Sequence, residues 1–314
     1  MLNNDKVIAF FQRNPALSIS MIEKEAGLPM SLLSKVLRGE RKLNDDHLKK
    51  IRPVLVKYGY NNKIVSEGTK VIAVLNHKGG VGKTTTTFNL GKALSLHERK
   101  VLIVDLDPQG NLTQCTGNEE PEKQLHHAFG GEDLPVLELA ENFHLVPAGI
   151  ELSSLELEMQ SSINGYFKLQ EVLDPIKHNY DYVLIDCPPS LGILTTNALI
   201  ASDSALIVVQ SHYLATKGLG NIIEMIDQLQ TRLNPELKVE GMLLTMVDKR
   251  TVISQTIIDF VKENYPYYRV FDSLIRQNVA LIEASSQHMD VISYDNKSIG
   301  ARDYLDFCKE VMNG

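Results

Sequence analysis

The sequence has few cysteines and no long hydrophobic run. Cys115, Cys187 and Cys308 are odd in number, widely spaced and outside any CxxC pair, so neither a disulfide framework nor a zinc site is predicted. No segment approaches the roughly 18 consecutive apolar residues that span a bilayer, and the first residues lack a basic stretch followed by an apolar run. We therefore expect a cytoplasmic protein whose thiols stay reduced.

Charge is distributed unevenly along the 314 residues. Residues 1–67 contain 12 Lys or Arg and 7 Asp or Glu, a net charge of +5, and because the whole chain has a formal charge of −7 the remainder carries −12. The hydrophobic fraction, 43%, is ordinary for a globular protein with a core. This asymmetry is typical of a nucleic-acid-binding module joined to an acidic enzyme.

Two hydrophobic patterns meet near residue 66. From residue 19 to 55 the apolar residues recur at helical spacing, which predicts an all-α domain at residues 1–66. After a polar linker, short β-branched runs alternate with helical stretches, which predicts an α/β domain at residues 67–314 with a mostly parallel sheet flanked by helices. The predicted strands are residues 71–75, 101–104, 143–146, 182–185, 205–209 and 239–244.

A glycine-rich loop follows the first predicted strand and leads directly into a helix. In such a loop backbone N–H groups surround a polyphosphate, Lys83 neutralises phosphate charge and the Thr84 hydroxyl ligates Mg²⁺. The spacing departs from G-x-x-x-x-G-K-[ST], because His77 holds the first glycine position and an extra lysine, Lys78, follows it. The predicted nucleotide-binding residues are Lys78, Gly79, Gly80, Val81, Gly82, Lys83, Thr84 and Thr85.

Two later strands end in carboxylates, at the edge where ligands bind in parallel sheets. Asp105 and Asp107 follow one apolar run on alternate positions, so both are able to face Mg²⁺ and a γ-phosphate. Asp186 ends another run. Since Mg²⁺ keeps several waters and uses few protein carboxylates, we predict Thr84 and Asp186 as its protein ligands.

These motifs carry a resemblance to a known family. K-G-G-V-G-K-T-T closely resembles the deviant Walker A loop of the ParA and MinD superfamily, and D-L-D-P-Q-G-N at 105–111 resembles the ParA family's D-x-D-P-Q-G-N segment. The likeness extends over about residues 69–312 and implies a P-loop ATPase that uses ATP and Mg²⁺. It also implies three catalytic residues: Lys78 reaches the partner's nucleotide across a homodimer, Lys83 binds phosphate and Asp107 orients the attacking water.

The resemblance extends to two segments near the nucleotide base. Residues 241–251 resemble the family's L-L-T-M-x-D-x-R-T, whose residues lie around the base, and so imply roles for Met246 and Asp248 in nucleotide binding. Residues 275–284 resemble I-P-R-N-V-R-L-S-E-A, which closes the nucleotide pocket and contributes basic residues to DNA. Here Arg276 stands at the proline, and Gln277 and Ala280 replace the two arginines.

Basic residues near these segments are candidates for DNA contact. With the two family arginines replaced, Lys249, Arg250 and Arg276 are the candidates for sequence-independent contact with DNA phosphates. The alternative is that the three are solvated surface charges.

Residues 22–39 have the pattern of a helix-turn-helix. Gly27 allows the turn, and Leu28, Leu33 and Val36 are spaced to pack the second helix on the first. Glu23 occupies a position where a small residue is usual. The alternative is a helical interaction or dimerisation module. The predicted DNA-facing residues are Ser31, Ser34, Lys35 and Arg38.

The resemblance implies ATP-dependent DNA partition. An ATP-bound homodimer would bind DNA non-specifically, and hydrolysis stimulated by a ParB-type centromere-binding partner would release it. Residues 1–66 would bind an operator and repress the protein's own gene. The alternative is an ATP-regulated transcription repressor without a partition role. A MinD-like membrane cycle is disfavoured, since the segment 306–314 is short and mixed in charge, and we expect a nucleoid-associated protein.

Overall fold

The computed structural model describes residues 4–14, 17–58, 68–162, 164–212 and 218–313. The described residues form two compact units. The first unit comprises residues up to 69 together with residues 176–181, and the second comprises 70–175 and 182–314. The inclusion of residues 176–181 in the first unit is a feature that no sequence pattern indicated. Within the described residues no helix combines the length and the hydrophobicity that crossing a membrane requires.

The first unit contains four α-helices around a small apolar core. The core side chains include Val7, Phe10, Leu33, Ile51 and Leu55, all nearly inaccessible to solvent. Leu28 and Val36 are buried in the same core, as the helical spacing predicted. The helices are α1 (Asn4–Arg13), α2 (Ile19–Glu25), α3 (Leu32–Leu37) and α4 (Asp45–Lys57), with a 3-10 turn at Lys177–Asn179.

The second unit is built on an eight-stranded sheet in the order β3-β4-β2-β5-β1-β6-β7-β8. Every neighbouring pair is parallel except β3 and β4. The prediction of a mostly parallel sheet is therefore confirmed. The strands are β1 (Lys70–Leu75), β2 (Val101–Asp105), β3 (Leu137–Ala140), β4 (Phe143–Val146), β5 (Tyr182–Asp186), β6 (Ser204–Gln210), β7 (Lys238–Val247) and β8 (Val270–Arg276).

Eleven α-helices are described in the second unit. Gly91, in the long helix that follows β1, allows that helix to lie against the sheet, because a Cβ there would come 2.8 Å from side-chain atoms of both Ile103 and Phe143. The helices are α5 (Lys83–Leu96), α6 (Asn111–Cys115), α7 (Leu125–Phe129), α8 (Leu152–Ser161), α9 (Lys168–Leu173), α10 (Ile193–Ala201), α11 (Leu219–Arg232), α12 (Val252–Asn264), α13 (Val279–Ser286), α14 (Val291–Tyr294) and α15 (Ile299–Asn313), with a 3-10 turn at Gly165–Phe167.

The strand register brings the predicted acidic residues together. Asp186 at the end of β5 is the register partner of Val74 in β1 and of Asp105 in β2. The phosphate loop begins directly after β1, so the loop and the carboxylates lie at the same edge of the sheet. This is the edge at which parallel α/β sheets bind ligands.

Candidate nucleotide-binding site

The loop between β1 and α5 is held at both ends by hydrogen bonds. The Asn76 amide donates to the Val208 carbonyl at 2.6 Å, and its Oδ1 accepts from the Lys78 N–H at 2.8 Å. The Thr245 hydroxyl donates to the Val81 carbonyl at 2.7 Å. Gly82 precedes α5 with φ +95°, a backbone conformation in which a residue with a side chain would be strained. Hydrogen bonds within the protein therefore hold the loop in this conformation.

The two loop lysines lie in different surroundings. Lys83 is 6% exposed, its Nζ is 3.2 Å from the Lys78 carbonyl oxygen, and burial lowers its pKa against the opposing effect of Asp186. Lys78 is half-buried, and its Nζ donates to Gln210 Oε1 at 3.2 Å. The Gln210 amide in turn lies 3.3 Å from the Met246 sulfur. Gln210 thus links the extra lysine to the end of β7, a connection that the sequence did not indicate.

Thr84 and Asp186 form the predicted metal-binding pair. The Thr84 hydroxyl donates to Asp186 Oδ2 at 2.6 Å. Asp186 is fully buried, and among the described residues its Oδ1 has no hydrogen-bond partner. Burial and the nearby Asp105 carboxylate raise the pKa of Asp186, while Thr84 and Lys83 act in the opposite direction. A buried carboxylate oxygen without a partner, beside a hydroxyl, is the hard oxygen donor set that suits Mg²⁺.

Asp105 and Asp107 differ in what their carboxylates do. Asp105 is fully buried, and Oδ2 accepts from the Thr113 N–H at 2.8 Å and hydroxyl at 2.7 Å, while Oδ1 accepts from the Asp107 N–H at 3.1 Å. Burial raises the pKa of Asp105 to about 7, although the Thr113 hydrogen bonds favour the ionised form. Its oxygens hold the loop after β2, which differs from the expectation that Asp105 also faces the metal. Asp107 is 7% exposed, and its Oδ1 accepts from the Gln109 N–H at 2.9 Å.

A cavity of about 470 Å³ adjoins the start of α5. Gly82, Thr85, Thr245 and Met246 line one part of it, and residues between Ile275 and Ser286 line the other part together with Tyr304. Met246 is 38% exposed and has φ +52°, which the strand end imposes on a non-glycine residue. The cavity therefore continues from the phosphate loop along the end of β7, where the nucleotide base was predicted to lie.

Comparison with known proteins identifies the family. The AAA domain family model matches residues 69–239. Sporulation initiation inhibitor protein Soj of Bacillus subtilis (strain 168) is 44% identical over 250 residues, which cover 77% of this chain and 98% of Soj. Chromosome partitioning protein ParA of Myxococcus xanthus (strain DK1622) is 40% identical over 262 residues, 81% of this chain and 92% of that protein. The chain belongs to the ParA family of partition ATPases.

Solved structures agree with this assignment. Cobyrinic acid a,c-diamide synthase from Mycobacterium smegmatis with bound ADP and magnesium has a TM-score of 0.69 and 34% identity, over 78% of this chain and 94% of that one. A variant of Cyanothece McdA in complex with ATP has a TM-score of 0.71 and 27% identity, over 78% and 97% of the two chains. The family, the P-loop fold and the ATPase activity predicted from the sequence are thus confirmed.

The part of the cavity where the nucleotide base was predicted to lie, here called the base end, contains an internal ion pair that was not predicted. The Arg276 guanidinium binds the Asp303 carboxylate through Nε and Nη2, and the Arg276 N–H donates to Asp303 Oδ2 at 2.8 Å. Asp303 lies on α15 and is 7% exposed, whereas the Arg276 side chain is 36% exposed. Nε and Nη2 of Arg276 bind Asp303, and contact of its remaining N–H groups with DNA stays a prediction. The one sequence feature that pointed to this ion pair was the carboxylate of Asp303, which lies on the apolar face of the last helix.

The remaining second-unit candidates lie past the end of β7. Both oxygens of Asp248 accept from Arg250, with Nε at 2.9 Å and Nη2 at 2.8 Å, and this hydrogen bonding lowers the pKa of Asp248 to about 2. Lys249 is exposed. The structure thus brings Met246 to the cavity and places Asp248 in a surface pair with Arg250. A nucleotide contact by Asp248 stays a prediction.

The first-unit candidates cluster on α3. Ser31 immediately precedes the helix and is exposed, Ser34 is half-buried, and Lys35 is exposed. Arg38 follows the helix, and its Nε lies 2.9 Å from Glu40 Oε1 in an exposed pair. Exposed pairs of this kind contribute little and exchange partners readily. The four residues therefore lie on one short helix and its flanks, but their contact with DNA stays a prediction.

Proposed function

We propose that this partition ATPase alternates between an ATP-bound homodimer on DNA and a released form, and that a ParB-type centromere-binding protein stimulates hydrolysis. ATP and Mg²⁺ are its cofactors. The observation that carries the proposal is the environment of Asp186, which accepts a hydrogen bond from Thr84 beside a loop with two lysines. Its buried Oδ1 has no hydrogen-bond partner among the described residues.

The residues of the site have separate tasks in hydrolysis. When bound, Mg²⁺ would supply positive charge that offsets the negative charge of the transferred phosphoryl group. Thr84 and Asp186 hold the metal, and Lys83 at the start of α5 binds phosphate. Asp107, fixed by the Gln109 N–H, orients the attacking water. Phosphoryl transfer then depends on positioning and electrostatic stabilisation, so turnover is slow until the partner protein completes the site.

Lys78 connects the nucleotide to dimerisation in this proposal. Its ammonium group donates to Gln210 within the chain. In the homodimer it leaves Gln210 and binds the nucleotide of the partner subunit, as the resemblance to the deviant Walker A loop implies. ATP therefore completes the interface between subunits.

The two units bind DNA in different ways in this proposal. The first unit belongs to the part of the chain with a net charge of +5, and Lys35 lies exposed on α3. Through α3 it binds an operator and represses the protein's own gene. Lys249 and Arg250 of the second unit contact phosphates without regard to sequence. The protein is accordingly nucleoid-associated in the cytoplasm.

The test is binding of the purified chain to a long duplex of arbitrary sequence, measured by fluorescence anisotropy with Mg²⁺ and either ATP or ADP. We expect tight binding with ATP only, steep weakening as salt rises, and acceleration of hydrolysis by the cognate centromere-binding protein. Equal binding with ATP, ADP and no nucleotide would contradict the proposal.

An ATP-regulated repressor without a partition role is the second candidate, favoured by the basic helical first unit. Deletion of residues 1–66 separates the two functions. If ATP-dependent binding to arbitrary DNA and segregation survive while operator binding is lost, partition is the primary function. Loss of every DNA-linked activity would favour the repressor.

A further inference from the structure

Glu23, at the buried face of α2, has an unusual environment for an acidic residue. It is 1% exposed, and the adjacent Ile22 is fully buried in the apolar core of the first unit. Its Oε1 accepts from the Leu33 N–H at 2.7 Å, and its Oε2 accepts from the Ser31 N–H at 3.0 Å. A buried carboxylate is tolerated only when its oxygens are hydrogen-bonded. The motif usually has a small residue at this position, and here the carboxylate of Glu23 accepts two backbone hydrogen bonds instead.

The start of α3 depends on this carboxylate. Ser31 precedes the helix with φ +65°, a left-handed conformation that is strained for serine, and its own side chain forms no capping hydrogen bond. The first N–H groups of a helix need acceptors from outside the helix. Glu23 supplies two of them from the preceding helix, so its carboxylate both caps α3 and holds Ser31 in its strained conformation.

Glu23 also fixes the turn between α2 and α3 through its backbone. Its carbonyl accepts from the Leu28 N–H at 2.8 Å. One turn into α3, the Lys35 N–H donates to the Ser31 carbonyl at 3.2 Å. A chain of contacts thus runs from Glu23 through Ser31 to Lys35, the exposed cation of the helix.

We propose that Glu23 is a positioning residue for sequence reading, which sets the start of α3 so that its exposed side chains meet base edges of duplex DNA. The inference rests on the proposed operator binding by the first unit. Hydrogen bonds to base edges require a fixed helix position, whereas contacts with phosphates tolerate small displacements. Glu23 therefore determines the preference for a specific sequence more than the affinity for DNA in general.

The experiment begins with selection of duplexes from a random-sequence pool by the full-length chain with ATP and Mg²⁺. The affinities of wild type, Glu23→Gln and Glu25→Gln are then measured for the enriched duplex and for a scrambled one. Glu25 is the matched control, because it lies on the same helix and carries the same charge but pairs at the surface with Lys57 and Tyr58. We expect Glu23→Gln to lose about tenfold in the ratio of specific to scrambled affinity, and Glu25→Gln to retain it.

Hydrogen exchange separates positioning from general loss of folding. In Glu23→Gln the amides of Ser31 and Leu33 should exchange faster while those of α1 and α4 keep their protection. Loss of protection throughout α1 and α4 would assign Glu23 to the folding of the whole unit and overturn the positioning role.

The outcomes distinguish this inference from the function on which it rests. If wild type enriches a sequence and Glu23→Gln prefers it equally, Glu23 does not position the helix, although the first unit still reads DNA. If wild type enriches no sequence, the operator-reading function fails and the role of Glu23 fails with it.

Discussion

The phosphate end and the base end of the nucleotide site use charge in opposite ways. At the phosphate end, Lys83 and Asp186 are buried, and an oxygen of Asp186 lacks a partner among the described residues. At the base end, Arg276 is already paired with Asp303. We infer that a ligand completes the first arrangement, whereas in the second the carboxylate of Asp303 already has its partner within the protein.

This difference predicts which substitutions weaken ligand binding and which reduce the stability of the fold. Removing a charge at the phosphate end should reduce ligand binding, because the group is held for a ligand at the expense of folding free energy. Removing a charge at the base end should reduce the free energy of unfolding, because it leaves a partly buried partner unpaired.

The largest effect is expected for Lys83→Ala. The variant removes a charged hydrogen-bond donor from the phosphates, so ATP affinity should fall at least about 100-fold. Isothermal titration calorimetry with Mg²⁺ measures the change, and Lys92→Ala on the same helix is the control. Unchanged ATP affinity in Lys83→Ala would remove the phosphate-loop assignment.

Asp107→Ala should separate binding from hydrolysis. With the water-orienting carboxylate removed, kcat should fall about 100-fold or more while ATP still binds, so that the ATP-bound dimer stays on DNA. Single-turnover hydrolysis and DNA dissociation rates provide the measurement, with the exposed Asp133→Ala as control. Normal turnover in Asp107→Ala would assign the water-orienting role to another residue.

The phosphate end was predictable from the sequence because its chemistry demands adjacent residues. A triphosphate needs glycines, a lysine and a hydroxyl within one short segment, so Lys83 and Thr84 are recognised by spacing alone. Asp186 is also recognised from the sequence, because a strand that ends in a carboxylate meets that loop in a parallel sheet.

The strands that the sequence did not predict are β3 and β8. Both are edge strands in which exposed and half-buried residues interrupt any continuous apolar run.

The contacts that escaped prediction join residues with no shared pattern. Arg276 and Asp303 are on different elements, and both oxygens of Glu23 bind backbone groups eight and ten residues away. Neither ion pairs nor hydrogen bonds from backbone N–H groups to a carboxylate produce a periodic pattern in the sequence. The contacts of Asp105 escaped prediction in the same way, since only the fold shows that Thr113 donates two hydrogen bonds to its Oδ2.

Asp303→Ala tests the base end. Loss of the carboxylate leaves Arg276 unpaired, and since that side chain is 36% exposed we expect a cost of about 1 to 2 kcal/mol in the free energy of unfolding. Urea denaturation measures it, and Asp259→Ala, which removes an exposed carboxylate hydrogen-bonded to Gln255 on α12, is the control. A loss of ATP affinity as large as that of Lys83→Ala, with stability unchanged, would reverse the contrast between the two ends.

The smallest effect is expected for Asp248→Asn. Asp248 and Arg250 form a solvent-exposed pair, whose loss should leave the Tm unchanged within error. If Arg250 contacts phosphate, removing the competing carboxylate should raise the ATP-dependent affinity for arbitrary DNA by less than about threefold. Arg250→Ala should then reduce the salt dependence of that affinity by about the amount expected for one phosphate contact. If neither variant changes DNA binding while Asp248→Asn weakens ATP binding, then Asp248 belongs to the nucleotide site and Arg250 serves only to hold it there.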